Sequence, residues 1–143
     1  MPAGAAREGD DAPAAGFAVS FTSGSRVWLQ VTGGPAPGAA VEDAGTPVNG
    51  PALEHVPLPV LFDDAGKVSP QRAEAYLTAV LTNSGSTEIA EIYGYTHRAR
   101  KPAMNPGIGI IFHNGARLWV PFLHTTQPGH DRGRSPFRLQ ASF

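Results

Sequence analysis

The chain has no cysteine, only two lysines and, after residue 91, a single carboxylate, Asp131. Without cysteine there is no disulfide, no thiolate zinc site and no cysteine nucleophile. Nine arginines against two lysines look like a codon effect without functional content, although Arg98, Arg100, Arg132 or Arg134 could each serve as a bidentate fork for an anion. No apolar run is long enough for a signal peptide or a transmembrane helix, so a soluble cytoplasmic protein without a membrane partner is expected. Phosphate-loop and serine-elbow patterns are missing too, and Gly107-Ile108-Gly109 leads into a strand instead of a helix. A metal would have to use His97, His124, His130 and Asp131, whose spacing matches no ligand signature and whose arginine neighbours repel a cation. Neither a metal nor a cofactor is expected.

What is present is sorted by charge. Residues 1–91 hold eleven of the twelve carboxylates and only Arg7, Arg26, Lys67 and Arg72 as bases, a balance of −7. Residues 92–143 carry Arg98, Arg100, Lys101, Arg117, Arg132, Arg134 and Arg138 against Asp131, a balance of +6. Four of the five histidines, His97, His113, His124 and His130, fall in that basic third. The net charge of −1 hides a dipolar molecule, and a fixed basic field favours an anionic partner.

The 143 residues provide for one domain. Residues 1–16, small and polar with Asp10 and Asp11, predict a disordered tail, and 17–143 a single α+β domain. Phe17, Val19 and Phe21 alternate with polar or small residues; after Ser23-Gly24-Ser25 the alternation resumes at Val27, Leu29 and Val31, predicting a hairpin. Gly33–Ala52 is an aperiodic Gly/Pro/Ala-rich stretch that reads as a flexible loop. Val56, Leu58, Val60 and Phe62 alternate with Pro57 and Pro59 in between, which predicts an edge strand over 53–62. Ser69-Pro70 announces a helix over about 70–83, with Ala73, Tyr76, Leu77, Val80 and Leu81 as its apolar stripe and Asn83-Ser84-Gly85 as its stop. Strands are expected over 87–95, 108–113 and 116–123, the last two joined at Asn114-Gly115, and a terminal strand over 137–141.

The fold class is therefore α+β: a curled antiparallel sheet of six to seven strands, or a partial barrel, with one amphipathic helix. A two-residue turn at Asn114-Gly115 would set Phe112 against Arg117 and Ile110 against Trp119. Phe112 and Trp119 would then share an apolar face with Ile108 and Ile110, opposite Ile111, Leu118, Val120 and Phe122. One helix covers one face only, so the second face predicts either a pocket in a curled sheet or a homodimer.

Connections in a meander alternate ends. Loops 96–107 and 124–136 fall at one end, with Asn114-Gly115, His113 and Arg117 near the other. The shared end gathers His97, Arg98, Arg100, Lys101, His124, His130, Arg132 and Arg134 as candidate ligand-binding residues. This basic rim, 96–102 and 124–134, would hold an anionic small molecule or an acidic protein surface. Nucleic acid is the weaker candidate, because the whole chain is not basic. Two alternatives follow from the same residues. One is a cofactor-free lyase, cyclase or phosphodiesterase using histidines and arginines in a pocket lined by Phe112 and Trp119. The other is a structural homo-oligomer acting through the apolar sheet face. The sequence designates no catalytic residue.

Overall fold

The computed structural model describes residues 16–40, 45–97, 105–130 and 138–143. Among these are strands β1 (Gly16–Ser20), β2 (Arg26–Gln30) and β3 (Thr32–Gly34), helix α1 (Pro70–Thr82), and strands β4 (Ile89–Gly94), β5 (Gly107–Phe112) and β6 (Arg117–Thr126). They build one open antiparallel sheet in the order β1-β2-β6-β5-β4, with β3 also on β6. The α+β class with a curled sheet and a single helix is the one the sequence predicts. No helix among the described residues is long and apolar enough to cross a membrane.

The curl has a local cause. β2 and β3 follow each other along β6, with Arg26 opposite Thr126, Leu29 opposite Phe122, Thr32 opposite Trp119 and Gly34 opposite Arg117. Between Leu29 and Trp28 the partner jumps from Phe122 to His124, leaving Leu123 as an extra residue in β6. Such a bulge bends and twists its strand. Val27, Leu29, Ile108, Ile110, Val120 and Phe122 line the inner face, which α1 covers with Ala73, Leu77 and Leu81.

Both hairpins close in the same way. Phe21 N–H donates to Ser25 O at 2.9 Å and Gly24 N–H to Phe21 O at 2.8 Å; Phe112 N–H donates to Ala116 O at 2.9 Å and Gly115 N–H to Phe112 O at 2.8 Å. Gly24 and Gly115 sit at φ +92° and +86°, the left-handed residue of a three-residue loop. The expected two-residue turn at Asn114-Gly115 is thus one residue longer, and the register shifts by one: Ile111 faces Arg117, Ile110 faces Leu118 and Gly109 faces Trp119. Asn114 Oδ1 accepts from Ala116 N–H at 2.9 Å, stabilising the wider loop. The slip separates two residues expected together. Trp119 moves to the outer face beside Gly109 and Gly107, while Phe112 stays with Ile108 and Ile110.

Helix α1 starts as expected, with Ser69 Oγ accepting from Arg72 N–H at 3.1 Å and Pro70 in the first turn. Its buried face is rotated from the expected stripe: Glu74 is fully buried and Val80 is exposed. The segment 53–62 forms no strand. The Asn83 side chain instead takes both backbone groups of Val56 (2.8 and 2.9 Å), and Arg72 donates to Phe62 O at 3.3 Å. Pro57 and Pro59 remove alternate donors, so side chains hold a backbone that no strand can pair. No strand forms over residues 138–141 either, where the expected terminal strand is reduced to a single parallel bridge, His124 with Arg138. Beyond it, Phe143 exchanges two backbone hydrogen bonds with Val68 (2.7 and 2.9 Å) and is buried against Phe21.

Candidate functional site

β4 ends at Gly94, β5 begins at Gly107 and β6 ends at Thr126, so the connections after β4 and β6 leave the sheet at one end. At that end lies a polar cavity of about 240 Å³, lined by His124, Thr125, Thr126, Gln127, His130, Arg138 and Gln140. No described lining residue is acidic.

The cavity walls come from the end of β6 and the returning C-terminal segment. Arg138 N–H donates to Leu123 O at 2.7 Å and Thr125 N–H to Arg138 O at 3.0 Å, fixing the two backbones side by side. Gln140 N–H donates to Thr125 Oγ1 at 2.8 Å. The buried His124 ring places Nδ1 3.1 Å from Arg138 O. A carbonyl only accepts, so Nδ1 carries the proton in this contact and the ring orientation is fixed. Because these bonds use the backbone of Arg138, its exposed guanidinium is not consumed in holding the fold. The Thr126 side chain is buried, and its Oγ1 has no protein hydrogen-bond partner. A buried hydroxyl left unsatisfied costs about 1–3 kcal/mol.

A second cluster at this end is internal. The buried Glu74 carboxylate accepts from Thr96 N–H (3.2 Å to each oxygen), Thr96 Oγ1 (2.7 Å) and Gly107 N–H (2.9 Å). It also lies 2.6 Å from His97 Nδ1. Gly94 packs directly on this carboxylate, where a Cβ would collide with it. Glu74 therefore pins the end of β4 to the start of β5, at the base of the connection between them.

Of the eight candidate ligand residues, the structure brings His124 and His130 into one cavity and assigns His97 to Glu74. Arg98, Arg100, Lys101, Arg132 and Arg134 lie outside the described residues. Phe112 belongs to the opposite end of the sheet, where it lines a separate cavity, and Trp119 is 40% exposed on the outer face. Among the described residues no single pocket combines Phe112, Trp119 and the histidines.

Sequence reasoning missed Glu74, which sits within an apolar helical stripe, and it missed Thr126 and Gln140. The signal for the latter pair was the polar run Thr125-Thr126-Gln127 at the end of an otherwise apolar strand. Arg138 was legible as a base but was placed in a strand. Comparisons with protein-family models, with curated proteins and with solved structures found no match for this chain.

Proposed function

We propose that this protein is a small binding module that holds an anion, either a free small molecule or the acidic group of a partner protein, at the polar end of its sheet. The observation that carries this reading is the lining of the 240 Å³ cavity: two histidines, an arginine, two threonines and two glutamines, with no described carboxylate to compete. An oxyanion seated there could accept from Arg138 and His130 and supply the acceptor that the Thr126 hydroxyl lacks. The basic sequence on both sides supports it, since Arg132 and Arg134 follow His130 after a single acid, Asp131, and Arg98, Arg100 and Lys101 follow His97. The cavity's small volume suits a phosphate, sulfate or carboxylate group, and the whole-chain charge of −1 keeps nucleic acid the weaker partner.

Calorimetric titration with inorganic phosphate tests the reading. Arg138→Ala and His130→Ala should each weaken binding by about tenfold, the value of one charge-assisted contact, with little loss of stability. Unchanged phosphate affinity in both variants would reject the site. An enzymatic use of His124 and His130 would be added to this binding, and phosphodiester cleavage abolished by His130→Ala would reveal it.

A second reading, the homodimer, is favoured by the exposed apolar side chains of Val56, Leu58 and Val60 on a backbone that joins no sheet. Sedimentation at rising concentration should show dimer formation that Leu58→Asp and Val60→Asp abolish. A monomer throughout would remove this reading and leave the anion site untouched.

A further inference from the structure

Of the five histidines, His97 alone combines an exposed ring with a carboxylate partner among the described residues. His55 and His130 are exposed without one, His113 Nε2 lies 3.1 Å from Pro51 O, and His124 is buried. Backbone and side-chain contacts fix where His97 stands. Its N–H donates to Gly94 O at 3.2 Å, closing a turn at the end of β4. Its Nδ1 lies 2.6 Å from Glu74 Oε2 and 3.2 Å from Thr96 Oγ1. The carboxylate only accepts, so Nδ1 carries the proton in this contact and the lone pair is on Nε2. Nε2 makes no hydrogen bond among the described residues. The His97 side chain is 54% exposed while that of Glu74 is wholly buried.

This pairing has a consequence at Nε2. A carboxylate on Nδ1–H orients the ring and raises the basicity of the other nitrogen. It also stabilises the positive charge that the ring gains when Nε2 forms a bond. Glu74 suits that role because Thr96 N–H, Thr96 Oγ1 and Gly107 N–H already hold it in place. Nε2 and Nδ1 lie on different edges of the ring, so a group added at Nε2 projects away from the carboxylate. His97 lines neither the polar cavity nor the one at Phe112, so a reactant reaches its ring from solvent. Phosphoryl transfer to the ring itself suits such a position, since its loose transition state asks chiefly for an in-line nucleophile.

We propose that His97 Nε2 is a phosphoryl-accepting site, charged by a phosphoramidate donor. The Nε2 lone pair forms the new N–P bond as the donor's N–P bond breaks. The protonated donor nitrogen leaves as a neutral amine with the electron pair of the broken bond. Nδ1 keeps its proton, and the ring, now cationic, stays paired with Glu74. The step is covalent and requires no part of the anion cavity.

The test is incubation of the full chain with inorganic phosphoramidate at neutral pH, followed by mass spectrometry and phosphorus NMR. His55, exposed and outside the lining of the polar cavity, is the internal control. His97 should be phosphorylated at Nε2 about tenfold faster than His55. Glu74→Gln should reduce His97 to the rate of His55, and His97→Ala should abolish the fast reaction in a chain that still folds. A ring held only for the sake of the fold would react no faster than the control. Equal rates at His97 and His55, or a product on Nδ1 of His97, would overturn the inference. That comparison needs only the unmodified chain, so it decides the matter even if Glu74→Gln fails to fold.

Discussion

Glu74 shows how much one side chain can organise here. It sits on α1 three and seven residues before Leu77 and Leu81, on the flank of the apolar stripe, where the residue type alone would turn a glutamate towards solvent. What buries it is the end of the neighbouring hairpin, where Gly94, Thr96, His97 and Gly107 converge on its carboxylate. That convergence joins residues 20 to 33 positions away from Glu74, so no local pattern announces it. Glu74→Ala should cost about 3 kcal/mol, because the buried Gly107 N–H and the Thr96 donors lose their acceptor. His97→Ala should cost under about 1 kcal/mol, its side chain being 54% exposed. Urea denaturation measures both, and equal costs would contradict the central role of the carboxylate.

Asp63 gives the residue-scale pH dependence. Its carboxyl is held below the ordinary aspartate range chiefly by the Lys67 N–H, against some desolvation, with help from the Ala65 N–H and the charges of Arg72 and Lys67. A folded-state value below the unfolded one means that its contribution is complete above the ordinary aspartate range. It is lost as pH falls through the lowered folded-state value. Asp63→Asn should therefore flatten the acid limb of a stability-versus-pH curve between pH 5 and 2. An unchanged limb would show that the turn does not contribute.

At the level of elements, the helix with its Ser69 cap and the meander of three apolar strands were legible, because periodicity and caps are local signals. Segments whose structure depends on a distant partner were not. Residues 53–62 have the alternation of a strand, yet Asn83 and Arg72 hold them outside the sheet. The hairpin at 112–116 differs from expectation by one residue, and that single step exchanges which face Trp119 occupies. On the outer face of β5, Tyr93 lies across Gly109 and Tyr95 across Gly107, with the two rings 6.2 Å apart. Adding a methyl at Gly109 would drive it into the Tyr93 ring, so Gly109→Ala should destabilise by about 1–3 kcal/mol and change the near-UV tyrosine spectrum. Neutral behaviour would mean that the rings have room to move aside.

Over the whole molecule, Phe143 ties the segment after β6 back to the core. Phe143 fills the core against Phe21, and its backbone pairs with Val68 just before the helix. Phe143→Ala should lose about 3–5 kcal/mol, and thermal melting should show it. The same C-terminal segment supplies Arg138 and Gln140 to the polar cavity, so core closure and formation of the candidate site are coupled. The division of charge along the chain is readable in the sequence. Topology explains why it matters: both connections rich in bases leave the sheet at the same end, where the described lining offers donors and no acid.

The most direct measurement is thermal melting with phosphate and sulfate against chloride at matched ionic strength. Saturation at about 100 times the dissociation constant adds about 2.7 kcal/mol to a folded state that binds the ion. For a domain of this size that is a rise of several degrees, which Arg138→Ala should diminish. A specific rise is what an anion-binding cavity at His124, His130 and Arg138 requires. Equal melting in all three salts would contradict it.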